Sequence, residues 1–169
     1  FVVLGNRMPR SGETQRELAR FVAGGGALAV FCGADFDADA WNDAFGPTGP
    51  HRLLPFRFGP REERREGTFA LDFDRAGTHP MSKDFVEGEA RFVSATPPRM
   101  RGRMRLVPPD VGATPTGPTP SAAARPEDDL VVLRFLDPDP RTPGPVALVE
   151  GPVGLGRVLY GGFSLDDHW

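Results

Sequence analysis

Residues 11–33, Ser-Gly-Glu-Thr-Gln-Arg-Glu-Leu-Ala-Arg-Phe-Val-Ala-Gly-Gly-Gly-Ala-Leu-Ala-Val-Phe-Cys-Gly, constrain the fold more than any other stretch. They read as a helix, a glycine hinge and a buried strand. Ser11 suits an N-cap, because its hydroxyl can accept from a free N–H of the first turn. Glu13 places negative charge at the positive end of the helix dipole. Leu18, Phe21 and Val22 fall at i, i+3 and i+4 and form one apolar stripe, whereas Arg16, Glu17 and Arg20 fall outside it. Three glycines follow, Gly24 to Gly26, and a glycine just past a helix supplies the left-handed residue that closes its last turn. Residues 27–32 are then all apolar, the pattern of a strand covered on both faces.

The apolar run at residues 1–4, ended by Gly5-Asn6, supplies a strand before that helix. Strand, helix and strand in this order make a βαβ unit with a right-handed crossover. A length of 169 residues suits one domain with a real core. The net charge of −3 does not suggest a general nucleic-acid binder. Lys83 is the one lysine among 20 basic residues, a composition expected of a GC-rich genome. A single cysteine, Cys32, excludes an internal disulfide and a cysteine-based metal cluster. No stretch approaches the apolar length that spans a bilayer. The chain opens inside a strand at Phe1 and stops at Trp169 without a polar tail, so it reads as a piece of a longer protein.

Further along, a short helix is expected from about Asp37, with Trp41, Ala44 and Phe45 on its apolar side and residues 46–50 ending it. Residues 53–58 read as an extended edge segment, because of Pro55. The charge run 61–66 reads as a solvated turn and residues 68–73 as a strand. Thr78-His79-Pro80-Met81 reads as a turn. Residues 91–93 and 99–107 read as strands, the second with Arg99, Arg101, Arg103 and Arg105 on one face and Met100, Gly102, Met104 and Leu106 on the other. Residues 107–129 hold six prolines (108, 109, 115, 118, 120, 126) and read as a disordered internal loop. Residues 130–135 form another strand, 137–144 a turn. Residues 146–150 and 157–163 are two strands of a hairpin with a longer loop over 151–156.

Cys32 is the obvious candidate for chemistry, since it closes a buried strand where α/β proteins place active groups. A nucleophile there normally has glycines two residues away on each side; here the flanks are Val30 and Ala34. A base is also needed to form a thiolate, and none of His51, His79 and His168 is followed two residues later by an acid. Cys32 therefore reads first as a small buried hydrophobe. His79, Asp166, Asp167 and His168 are potential metal donors without a recognised ligand spacing. Asp35, Asp37 and Asp39 lack the glycine and distal glutamate of a calcium loop, and helix capping explains them more simply. The triple glycine follows a helix and precedes a strand, the reverse of a phosphate loop. The arginine row 99–105 suits an anion or acidic partner, or the charge that keeps an edge strand from pairing.

Residues 17–31, together with the closing strands 145–150, 154–160 and 163–169, resemble class I glutamine amidotransferase-like domains. They are most similar to the non-catalytic type in BatA-like (aerotolerance regulator) bacterial membrane proteins. The resemblance implies a flavodoxin-like, three-layer α/β sandwich. Its sheet would be mostly parallel with antiparallel C-terminal strands, in a single domain over 1–169 excised from a longer chain. The elbow glycines and the His-x-Glu pair of active amidotransferases are absent, so no catalytic residue carries over. The implied role is a non-catalytic interaction or sensory module, membrane-anchored through the parent chain. It would use no cofactor and no metal. Its partners would be proteins or other domains of that chain, not nucleic acid. The working surface would be a rim of Cys32, Gly33, Asp35, Ser164, Asp166, Asp167 and His168. The triple glycine and His79-Pro80 also resemble the trehalose-utilisation (ThuA-like) group, which implies a sugar-related enzyme or carbohydrate-binding domain.

Overall fold

The computed structural model describes residues 1–73, 99–108, 130–137, 139 and 141–164. Strand β1 (Val2–Leu4), helix α1 (Gly12–Ala23) and strand β2 (Ala27–Phe31) form the expected βαβ unit. The Ser11 hydroxyl accepts from the Thr14 N–H at 3.1 Å, a contact of about 1 kcal/mol. At the other end Gly26 N–H donates to the Phe21 carbonyl and Gly25 N–H to the Val22 carbonyl. That pair of bonds is a Schellman closure. Its left-handed residue is Gly25, with φ 110°. Gly26 must lack a Cβ because the Phe21 ring lies 2.5 Å from where one would stand. This contact also corrects the predicted stripe: Val22 is fully buried and Leu18 half-buried, whereas Phe21 covers the hinge and stays 42% exposed.

Helix α2 (Ala38–Phe45) starts at Asp37, whose carboxylate accepts from Ala40 N–H at 3.0 Å. It buries Trp41, Ala44 and Phe45 as expected, and also Asn42, which the apolar pattern did not mark.

Among the described residues the main sheet has seven strands, in the order β1-β2-β9-β8-β7-β4-β5. Besides β1 and β2 these are β4 (Phe69–Asp72), β5 (Arg99–Met100), β7 (Val131–Phe135), β8 (Val146–Val153) and β9 (Gly156–Gly161). Only β1, β2 and β9 run parallel, with Leu28 opposite Val158 and Val30 opposite Tyr160. Every other pairing in this sheet is antiparallel. The parallel share is thus smaller than expected. Strands β7, β8 and β9 follow one another as antiparallel neighbours, β8 and β9 through a two-residue turn, and only antiparallel strands can be joined so tightly.

Two cores flank the sheet. One joins Val22, Leu28, Val30, Trp41, Phe45, Val158 and Tyr160. The other joins Phe69, Leu71, Val132, Phe135, Leu148 and Phe163, with Phe31 and Leu159 packed against it. Alternate residues of β2 and β9 feed opposite cores, which is why β2 reads as an unbroken apolar run and β9 is apolar from Val158 to Tyr160. A mixed α/β architecture results. On the first face lie α1, α2 and a separate two-stranded ribbon, β3 (Arg57–Glu63) with β6 (Gly102–Val107).

That ribbon corrects one expectation and fills out another. Residues 61–66 are not simply a solvated turn, because β3 runs through Glu63. The segment expected at an edge leads into β3, which pairs with β6 alone among the described strands, yet its Leu53, Leu54 and Phe56 side chains are buried. Leu54 N–H donates to the Phe45 carbonyl at 2.8 Å, Phe56 N–H to the Tyr160 hydroxyl at 2.6 Å, and Phe58 bonds both ways to the Asn42 side chain. The β8–β9 hairpin is also tighter than expected. Strand β8 continues through Gly151 and Pro152, and only Gly154-Leu155 turn. Gly154 has φ 59°, the positive value that a two-residue II′ turn needs at its first central position. The strand expected at 91–93, the His79-Pro80 turn and the loop body 109–129 lie outside the described residues.

Candidate functional site

The carboxyl ends of the parallel strands bring together Asn6 after β1, Cys32-Gly33 after β2 and Phe163-Ser164 after β9. Cys32 N–H donates to the Phe163 carbonyl at 3.0 Å. This bond places two stretches of the expected rim side by side. Ser164 is half-buried and engaged with neighbours. Asp35 is exposed beyond the turn that leads to α2. Asp166, Asp167 and His168 lie outside the described residues.

Cys32 is only 3% exposed. Burial pushes its thiol well above the ordinary value, and the charge of Arg61 offsets this only in part. A thiol so held stays protonated and is a poor nucleophile at neutral pH. Gly33 is buried against Asn6, whose side chain stands 2.0–2.5 Å from the position of a Cβ there.

Arg61 is the rim residue that the charge run concealed. Its Nη1 donates to the Gly33 carbonyl at 2.7 Å and its Nε to Glu63 at 2.8 Å. It follows a register shift of β3 between Phe58 and Arg61, a bulge of the kind that re-aims a side chain. Gly102 leaves room for the guanidinium, which would lie 2.7 Å from a Cβ on that residue. The signal available in sequence was complementarity: the run Arg61-Glu62-Glu63 opposes the arginine-rich run 101–105 across one ribbon.

The four arginines do not form one free row. The strand breaks at Arg101, leaving Arg99 in β5 beside β4 and the rest in or before β6 beside β3. Arg103 is 9% exposed and donates to Glu62 at 2.7 and 2.9 Å. Its guanidinium also stacks 4.2 Å from the Phe69 ring centre and 5.0 Å from that of Phe135. Exposed Arg105 pairs with the same Glu62. Partial desolvation alone would raise the Glu62 carboxyl, but the bonds and charges of Arg103 and then Arg105 outweigh it and hold it below the usual range. Arg101 remains exposed. Among the described residues, no three His, Cys, Asp or Glu side chains gather as a metal site. His51 packs its ring against Phe45 instead.

Beside the rim an open cleft of about 850 Å³ lies between the start of α2, the β3 bulge and the end of β6. Buried Phe36, Phe58 and Met104 form its apolar floor. Arg57 and Arg61 line it with positive charge, Asp37 and Asp39 with negative. Neither Arg57 nor Asp39 has an ion-pair partner among the described residues.

No family model and no curated protein matches the chain. Solved structures do. The cytoplasmic protein STM3548 of Salmonella typhimurium superposes with a TM-score of 0.58 at 16% identity, over 99% of this chain and 62% of its own. The cytoplasmic protein STM1381 of Salmonella typhimurium LT2 gives 0.56 at 18%, over 92% and 51%. Gan42B, a GH42 β-galactosidase from G. stearothermophilus studied as its E323A catalytic mutant, gives 0.51 at 13%, over 98% and 19%. At such identities the likeness is one of fold. The chain spans between half and two thirds of the Salmonella proteins and about a fifth of the galactosidase.

Proposed function

We propose that this chain is a non-catalytic interaction or sensory module that uses the rim at the strand carboxyl ends and the cleft beside it. The observation that carries this reading is the burial of Cys32, whose amide is bonded to Phe163; the same burial pushes its thiol above the ordinary value. A residue in that state packs and does not attack. The amidotransferase-like ancestry and flavodoxin-like three-layer sandwich belong to the same reading, supported by the parallel β1, β2 and β9 with α1 between the first two. So does a BatA-type, membrane-anchored parent chain. No helix among the described residues is long and apolar enough to cross a membrane, so the anchor would lie elsewhere in that parent.

Alkylation of the folded chain tests the reading. Iodoacetamide at neutral pH should label Cys32 far more slowly than it labels the denatured chain. Fast labelling that follows a thiolate titration would overturn the non-catalytic assignment. The parent architecture is tested by the intact mass and membrane partitioning of the native gene product. A soluble product little larger than this domain would remove the BatA-type reading.

A second reading, a ThuA-like sugar-related enzyme or carbohydrate-binding domain, draws support from the galactosidase match. Binding of galactose or trehalose to the folded chain would favour it.

A further inference from the structure

We infer that the cleft between α2 and β3 binds a small zwitterion with an apolar side group, the chemistry of a free α-amino acid such as phenylalanine. The inference rests on the non-catalytic reading and names the ligand class for its site. The cleft carries charge of both signs: Arg57 on the β3 side and Asp39 on the α2 side have no ion-pair partner among the described residues, whereas Arg61 is already bonded to Glu63 and Gly33 and Asp37 caps α2. A simple anion would gain from Arg57 and be repelled by Asp39, and a simple cation the reverse. A ligand bearing a carboxylate and an ammonium gains from both. The apolar floor is suited to the rest of such a molecule: Phe36 and Phe58 meet edge to face, ring centres 4.7 Å apart, with Met104 beside them. About 850 Å³ is ample for the ligand and its waters.

The ribbon edge argues against a bound peptide strand. Strand addition needs open backbone donors and acceptors. Both backbone groups of Phe58 are taken by Asn42, and Pro60 has no N–H to offer. Recognition therefore falls to side chains and suits a compact molecule.

Calorimetric titration of the whole chain with L-phenylalanine, 3-phenylpropanoate and 2-phenylethylamine tests the inference. The first should bind saturably with a Kd of about 1 mM or tighter, and the two singly charged analogues at least about tenfold more weakly. Arg57→Gln and Asp39→Asn alter exposed residues, so the fold should persist, and each should weaken phenylalanine by about tenfold. No binding, equal binding of an analogue, or unchanged affinity in both variants overturns the site. The phenylalanine is recovered and its mass measured. Altered ligand would defeat the non-catalytic reading, whereas absent binding with Cys32 still protected from alkylation would defeat the zwitterion site alone.

Discussion

The side-chain amide of Asn42 takes both backbone groups of Phe58: its Nδ2 donates to the carbonyl and its Oδ1 accepts from the N–H, each at 2.8 Å. One helix side chain thus stands in for a neighbouring strand. It fastens the β3–β6 ribbon to α2, and through Phe58 to the Tyr160 ring, 5.7 Å away.

Asn42→Ala strands two buried backbone groups, each costing about 1–3 kcal/mol. We expect a loss of about 2–4 kcal/mol in urea denaturation. Asn42→Asp should cost at least as much at pH 7, since it buries a carboxylate and sets one of its oxygens against the Phe58 carbonyl. Equal stability of Asn42→Ala and the parent would mean that water replaces the amide without cost.

Glu62 ties Arg103 and Arg105 together, and its removal leaves buried Arg103, among the described residues, with its contacts to the Phe69 and Phe135 rings. Because its folded pKa lies below the ordinary value of 4.5, its contribution is complete above that pH. It is lost as pH falls through the folded value. Glu62→Gln should cost about 1–3 kcal/mol at pH 7, and the difference from the parent should shrink in acid. A gap that stays constant down to pH 3 would exclude the ion pairs as its source.

Tyr160 behaves in the opposite sense. Burial raises its phenol far above the ordinary 10.0, against the Phe56 N–H bond, which works to lower it. The folded state keeps the proton that the unfolded chain releases, so stability is complete below pH 10 and declines above it. Tyr160→Phe should lose about 1–3 kcal/mol at neutral pH, because Phe56 N–H is left without its acceptor. Its alkaline decline should be shallower. Ultraviolet titration should show no phenolate in the folded parent at pH 11, and a normal phenolate transition would contradict the burial argument.

The βαβ unit was legible because every local signal agreed: the Ser11 cap, the glycine hinge and the apolar run of β2 all act within a few residues. The ribbon was not, because its determinants are distant. Asn42 and Tyr160, which hold residues 56–58, lie 16 and 104 positions away from them. No period or turn motif reports such a bond. The arginine row misled for a related reason. Alternation along a strand predicts faces, but a short strand that breaks at Arg101 joins two sheets, and Glu62 then draws Arg103 into the core. At the rim, Cys32 and Gly33 were found because they end an obvious strand, whereas Arg61 comes to Gly33 from β3, after a bulge.

Gly33 and Asn6 provide the sharpest test of how the rim is packed. The Gly33 backbone does not need a positive φ, so alanine meets no strain there from the chain itself. Its Cβ would instead stand 2.0–2.5 Å from the Asn6 side chain. The Asn6 Oδ1 is buried without a hydrogen-bond partner, so removing that side chain sacrifices little. We therefore expect Gly33→Ala to cost about 1–3 kcal/mol, as overpacking does, and Asn6→Ala to cost under about 1 kcal/mol. The double variant should recover most of the loss, giving a coupling of about 1 kcal/mol or more in a double-mutant cycle. Additive costs would mean that the Gly33 methyl is resisted by something other than Asn6, and that the two strand ends do not pack as described.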